Sequence, residues 1–518
     1  MELEKLIKTQ RSEELSSEET RDVLFAVSEV APYSQTGGLA EVAANLPGAL
    51  SALGHRVSVI TPLYGSIQPE ELNLGKRLKP LIVPRSGAGD ETVEATLWEG
   101  RTDDGVRIFF VENDAYFGRE GLYGTEEGPF EDNPERFGFF SRAVVEFTRQ
   151  ISVPVDILHC NDWQTALAPV YRDAYYSEDL ADVGTVLTIH SLAHQGRFEA
   201  DAAEQLGLPD DLLVDGDLKD GEQLNLLQSG IVHADRITTV SPTYAEQIQT
   251  PEGGFGLDEV LREHADKLSG VLNGADYTVW SPDVDHFIEV QYDLEGLNGK
   301  RRNKANLQHE FSLPIRPTLP LVAYLGPLSE ENGVDLLLAA ADNLLENFAD
   351  DREGFQLVVV GQTEHGGYAD KLETLAQRFP ERVATTIDDS ERMAHEIQAG
   401  ADLLVIPSRH EPCGLTQLYA MKYGTLPIAH ATGGLADTIV DPQDDEDAKG
   451  TGFLFEDFDA EALGEAITRA TARYRNYRKW RPLIQNAMTQ DFSWKASASS
   501  YVDIYNSALQ RQEGSRHE

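Results

Sequence analysis

A chain of 518 residues, 41% of them hydrophobic, exceeds what one hydrophobic core organises, so two domains of roughly 200 to 250 residues each are the starting expectation. With 88 acidic against 43 basic residues the formal net charge is −45, which argues against nucleic acid and anionic membranes as partners. No apolar run approaches the roughly 20 residues of a membrane helix, and two cysteines, Cys160 and Cys413, are too few for a disulfide framework or a cysteine-based metal site.

Residues 1–20, MELEKLIKTQRSEELSSEET, form a charged leader without the apolar centre of a signal peptide, which predicts a cytoplasmic protein. DVLFAVSEV (Asp22–Val30) reads as a buried strand that runs into the glycine turn at Gly37 and Gly38 and then a helix, AEVAANLPGALSALG. HRVSVITP, VDILHCND, GTVLTIHS and DRITTVSP continue the strands. A second set comprises LPLVAYLGPL (Leu319–Leu328), FQLVVVGQ, RVATTID, DLLVIPS, TLPIAHA and GTGFLFE. Strands alternating with helices predict an α/β protein of two Rossmann-like, doubly wound parallel-sheet domains. The expected division is 21–283 for the first domain, a polar linker over 284–304, 305–485 for the second, and a helix over 486–510 that returns to the first. Ligands of such sheets bind beyond the C-terminal strand ends, which predicts a site in a cleft faced by both domains. The acidic excess is dispersed through loops such as PDDLLVDGDLKDGEQ, EEGPFEDNPE and DPQDDEDAKG. Dispersed acid reads as adaptation to a salt-rich cytoplasm, with an ordinary acidic protein as the alternative.

The densest chemistry lies in EPCGLTQLYAMKYGTLPIAHATGGLADT (Glu411–Thr438). Glu411 follows the apolar strand ADLLVIPSR, and Pro412 and Gly414 make a tight turn. Leu415–Tyr423 has helical spacing, so the backbone N–H groups of Cys413, Gly414, Leu415 and Thr416 open a helix N-terminus of the kind that attracts phosphate. Gly433 and Gly434 precede another helix that can serve the same ligand.

This run resembles the C-terminal signature of the bacterial glycogen and plant starch synthases. Further pieces of the same pattern occur in order: VSEVAPYSQTGGLAEV (Val27–Val42), HCNDWQTALAP (His159–Pro169), VLTIHSLAHQGRF (Val186–Phe198), TVSPTYAEQIQTPEGGFGLD (Thr239–Asp258), LSGVLNGADYTVWSPDVD (Leu268–Asp285) and QDFSW (Gln490–Trp494). The resemblance implies the two-domain GT-B arrangement. It implies transfer of glucose from ADP-glucose to the non-reducing end of an α-1,4-glucan such as glycogen, with retention of configuration and with neither cofactor nor metal. It further implies that Glu411 and His190 act at the reacting sugar, that Gly37, Gly38 and Asn273 belong to the donor site, and that Asp162 and Trp163 face the acceptor. The bland readings are a helix-capping Glu411, a hydrogen-bonded structural His190, a core Trp163 and a turn-forming Asn273 before glycine.

Four positions depart from the family pattern. Gln35 stands where the family carries the lysine of Lys-x-Gly-Gly-Leu, and Gln228 where it carries that of Asn-Phe-Leu-Lys-Ala-Gly. In GPLSEENG, Pro327 and Asn332 replace the arginine and lysine that clamp the donor diphosphate. Three activities stay open at this point: the synthase itself, a catalytically weakened or inactive relative that binds glucan or regulates an active one, and a glycosyltransferase with another donor.

Overall fold

The computed structural model describes residues 20–85, 91–125, 127–209, 212–213, 218–347, 354–388, 390–442 and 449–515. All of the leader except Thr20 therefore lies outside the described residues, as do parts of the acidic loops around 210–217 and 443–448. The chain divides into two compact units: Met1–Val240 with Ala245–Gly274 and Trp494–Glu518, and Ser241–Tyr244 with Ala275–Ser493.

Among the described residues the first unit holds fifteen strands: β1 (Asp22–Ala26), β2 (Arg56–Pro62), β3 (Gly75–Lys76), β4 (Leu81–Pro84), β5 (Thr92–Arg101), β6 (Arg107–Glu112), β7 (Gly124–Thr125), β8 (Gly128–Pro129), β9 (Ile157–Asn161), β10 (Gly184–Ile189), β11 (Arg197–Glu199), β12 (Lys219–Asp220), β13 (Gln223–Asn225), β14 (Arg236–Thr239) and β15 (Leu268–Gly270). Its main sheet runs β15-β14-β10-β9-β1-β2-β6-β5-β3, with β4 paired to β5. From β15 to β6 every pairing is parallel, while β5 pairs antiparallel with β6, β3 and β4. The parallel strands β1, β9 and β10 are buried at every residue, as expected of strands covered on both faces and read as unbroken apolar runs. The antiparallel extension was not among the expected strands.

The second unit holds β16 (Leu321–Leu328), β17 (Gln356–Glu364), β18 (Val383–Ile387), β19 (Leu403–Ile406), β20 (Leu426–His430) and β21 (Phe453–Phe455). They form one parallel sheet in the order β18-β17-β16-β19-β20-β21. Numbered within the unit this is 3-2-1-4-5-6, the doubly wound order whose direction reverses between its first and fourth strands. The first unit reverses likewise between β1 and β9. The α/β class and the two Rossmann-like sheets expected from the alternation are present.

The expected division needs correction. The chain passes from one unit to the other at Gly274/Ala275, not at 283, and residues 284–304 belong to the second unit rather than to a linker. Four of their polar residues, Asp285, Lys300, Asn303 and Lys304, are buried and bonded. Asp285 accepts hydrogen bonds from His395 Nδ1 at 2.8 Å and Tyr423 Oη at 2.5 Å. Burial pushes the Asp285 carboxyl up, but these bonds outweigh it and hold the group below its ordinary range. Trp280 stacks between His395 and Tyr419, with centroids 3.6 and 4.3 Å away. From the helix Asn298–Glu310, Lys300 donates to Thr425 Oγ1 at 2.6 Å, and Lys304 pairs with Asp402 at 2.6 Å. The C-terminal helix is Trp494–Ser515 and counts with the first unit, where Tyr505 Oη lies 2.8 Å from His159 Nδ1. The stretch before it, Tyr477–Met488, is a separate helix of the second unit.

Candidate active site

In the first unit the predicted residues, joined by Glu29, follow the C-terminal ends of the parallel strands. Glu29 and the Gly37–Gly38 turn follow β1, Asp162 follows β9, His190 follows β10 and Asn273 follows β15. Glu29 and Asp162 thus flank the point where the strand order reverses, the usual place for a ligand in such sheets.

Asp162 adopts φ +54°, a left-handed conformation that turns its carboxylate back over the neighbouring strand. There Oδ1 accepts the backbone N–H of His190 at 2.7 Å. Burial pushes the Asp162 carboxyl up to about 7, against the bonds from the His190 and Ser191 backbones and with help from the charge of Glu29. His190 is oriented by Asn161. The Asn161 amide donates to Ala26 O at 3.0 Å, so its Oδ1 is left to accept from His190 Nε2 at 2.9 Å. That bond assigns the proton to Nε2 and leaves Nδ1 as an acceptor. Burial lowers the His190 pKa to about 3, so the ring is neutral across the physiological range.

The Gly37–Gly38 turn is open. Gly37 is extended, at φ −160°, and starts the helix Gly38–Ala52 without a side-chain cap. A Cβ added at either glycine would meet nothing within 4 Å. Neither glycine is required by the fold around it.

Two of the singled-out residues of this unit are largely buried. Trp163 is 9% exposed and in T-shaped contact with Phe137 and Phe198. A large apolar ring beside Gly196, whose added Cβ would sit 2.6 Å from it, is explained by packing alone. Gln228 is buried and donates to Lys219 O at 3.0 Å, which ties the helix Leu226–His233 to the small sheet β11-β13-β12.

In the second unit the loops after β16, β19 and β20 meet at the strand-order reversal, packed backbone against backbone. Gly333 has φ +70°, and a Cβ there would lie 2.1 Å from Pro407 O. Arg409 N donates to Glu331 O at 2.9 Å. Gly434 N donates to Glu411 O at 3.2 Å, and a Cβ on Gly433 would fall 2.0 Å from that same oxygen. This packing fixes Glu411. Its carboxyl is pushed up to about 7 by burial, against a hydrogen bond from Ser408. Gly414, at φ +65°, turns the chain into the helix Thr416–Lys422, whose N-cap Leu415 supplies no side-chain cap. Gln417 braces the turn by donating to Cys413 O at 2.8 Å, and Cys413 itself is buried.

The two altered clamp positions lie at the end of β16 and in the loop that follows it. Pro327 lies within β16 at a register shift between Gly326 and Leu328, and its carbonyl accepts Tyr324 Oη at 2.6 Å. Asn332 Oδ1 accepts Ser329 Oγ at 2.6 Å. Glu29, which sequence reasoning passed over, was signalled only by being an acidic residue within the apolar run Asp22–Val30. Among the described residues no group of three or more potential ligands is placed to hold a metal, and no helix is long and apolar enough to cross a membrane.

Residues 22–263 match the family described as Starch synthase catalytic domain, and residues 306–486 match Glycosyl transferases group 1. A glycogen synthase of Anaeromyxobacter sp. (strain Fw109-5) is 43% identical over 489 residues, covering 94% of this chain and 99% of that protein. One from Syntrophotalea carbinolica is 41% identical, with 94% and 99% covered. Among solved structures, the catalytic domain of starch synthase IV from Arabidopsis thaliana bound to ADP and acarbose is similar, with TM-score 0.83 and 33% identity over 95% of this chain and all of that one.

Proposed function

The chain belongs to the glycogen and starch synthase family of glucosyltransferases, and on that premise we propose that it transfers glucose from ADP-glucose to the non-reducing end of an α-1,4-glucan with retention, through Glu411 and His190. The observation that carries the reading is Glu411, whose backbone is gripped by Gly433 and Gly434 beside the switch point of the second sheet and whose carboxyl accepts a hydrogen bond from Ser408. A retained configuration needs negative charge beside an oxocarbenium-like transition state, and a carboxylate fixed before the reaction supplies it without reorganisation. His190, neutral and with Nδ1 as acceptor, is suited to a sugar hydroxyl. The ADP and acarbose of the Arabidopsis structure support a nucleotide donor and a glucan-like acceptor. Asn273, Gly37, Gly38 and the backbone of Cys413–Thr416 complete the proposed donor contacts.

Loss of the clamp cations sets this chain apart within the reading. Pro327 and Asn332 bring no positive charge, and Pro327 O and Asn332 Oδ1 accept hydrogen bonds from Tyr324 and Ser329. Donor binding weaker than in relatives that keep both cations follows.

Incubation with labelled ADP-glucose or UDP-glucose and glycogen, in molar salt, tests the reading. Label transferred from ADP-glucose into material cut by an α-1,4-specific glucanase is the expected result. Glycogen binding without transfer favours the regulatory alternative, and transfer from UDP-glucose alone corrects the donor.

A further inference from the structure

We propose that Glu29 is a positioning residue for the donor: its carboxylate holds the Thr36–Gly37 turn in the conformation that presents the Gly37–Gly38 backbone to a nucleotide sugar. The proposal rests on the reading of Gly37 and Gly38 as donor-contacting residues. Glu29 comes three residues after β1 and is 4% exposed. Its Oε2 accepts Thr36 N at 2.5 Å, and both oxygens accept Thr36 Oγ1, at 3.0 and 3.1 Å. Its Oε1 also accepts Tyr123 Oη at 3.0 Å, and the backbone N–H of Gly37 bonds to the carboxylate as well.

No Lys, Arg or His forms an ion pair with this carboxylate among the described residues. Burying a carboxylate without a cation is costly, and here neutral donors alone meet the cost. The arrangement suits an acceptor-only group, because every partner can donate: two backbone N–H groups and two hydroxyls. Tyr123 anchors the carboxylate from the far side, in the segment that Asn133 and Arg136 bond through the carbonyls of Tyr123 and Leu122. A bridge therefore runs from the helix Asn133–Gln150 through Tyr123 and Glu29 to a turn that is otherwise exposed and unpacked. What the glycines lack in packing, Glu29 supplies as hydrogen bonds.

The test compares the unaltered protein with Glu29→Gln and Tyr123→Phe, measuring ADP affinity by calorimetry, KM for ADP-glucose and for a maltooligosaccharide, and melting temperature. A glutamine turns an N–H toward partners that are themselves donors. Glu29→Gln is expected to weaken ADP about tenfold and raise the nucleotide-sugar KM in step, with the glucan KM within about twofold. The melting temperature stays within about 3 °C. Tyr123→Phe, which removes one donor, moves the same quantities in the same direction by less. Unchanged ADP affinity in Glu29→Gln overturns the proposal, as does a joint shift of both KM values with the melting temperature, which marks a structural role alone. Should Glu29→Gln not fold, Thr36→Val takes its place beside Tyr123→Phe, and unchanged ADP affinity in both overturns the proposal. Absence of ADP binding by the unaltered chain sinks the functional reading and this proposal together, whereas binding that the variants leave intact sinks this proposal alone.

Discussion

Two glycine pairs follow strands of the two sheets, Gly37–Gly38 after β1 and Gly433–Gly434 after β20, and the same letters arise from different causes. Gly433 has φ +44°, and a side chain there would run into Glu411 O at 2.0 Å; one at Gly434 would meet Cys413 Cα at 2.5 Å. The protein itself demands both. Gly37 and Gly38 have ordinary backbone and empty space where a Cβ would go. The fold does not demand them, and on the proposed reading the demand is that of a ligand approaching the backbone. A motif glycine therefore means internal packing in one unit and open space in the other.

The sharpest way to break this comparison is to add one methyl group to each pair. Gly433→Ala is expected to destabilise the second unit by about 4 kcal/mol or more, through steric overlap and a disfavoured φ. Gly37→Ala is expected to cost less than about 1 kcal/mol and to weaken ADP instead. Urea denaturation and calorimetry on the two variants separate the causes, and equal losses of stability would erase the distinction.

Glu411 sharpens the same contrast from the side of charge. Its carboxyl titrates near 7 in the folded protein against an ordinary 4.5, so as pH rises the unfolded chain releases this proton first. Stability from this group is then full below about 4.5 and is lost as pH climbs through about 7. Glu411→Gln removes the loss: the variant gains up to about 3 kcal/mol over the parent at pH 8.5 and nothing at pH 4, by denaturation at each pH. No gain at alkaline pH would mean that the carboxylate is better solvated than its surroundings imply.

A smaller effect belongs to the clamp. Pro327→Arg with Asn332→Lys is expected to tighten ADP at least about tenfold, since each change returns a charge-assisted donor. Tight binding by the parent with no improvement in the double variant would mean that other groups hold the diphosphate. The least local expectation concerns the net charge of −45. Lowering salt from 1 M to 0.1 M lengthens the screening distance from about 3 to about 10 Å, and the melting temperature should fall by a few degrees. A flat or rising melting temperature on dilution counts against salt adaptation.

The parallel strands were legible because strands buried on both faces are unbroken apolar runs, as in DVLFA and LLVI. The region 284–304 misled for the opposite reason. Asp285, Lys300, Asn303 and Lys304 read as solvent-facing polar residues, yet they are bonded inside the second unit, and partners such as His395, Asp402 and Tyr423 are a hundred or so positions away in sequence. The strands β3 to β6 were missed because the antiparallel pairings of β5 with β3, β4 and β6 break the strand-helix alternation that guided the reading. Glu411 stood out because a turn and helix start surround it in sequence. Glu29 did not, because its meaning depends on Tyr123 and on a turn seven residues away.

The central claim is that Glu411 supplies the charge at the transition state, and turnover by Glu411→Gln tests it most directly. With ADP-glucose and glycogen in molar salt, kcat is expected to fall on the order of 10³-fold while glycogen affinity stays within about twofold of the parent. A variant that turns over at the parent's rate would contradict the assignment and remove Glu411 from the chemistry.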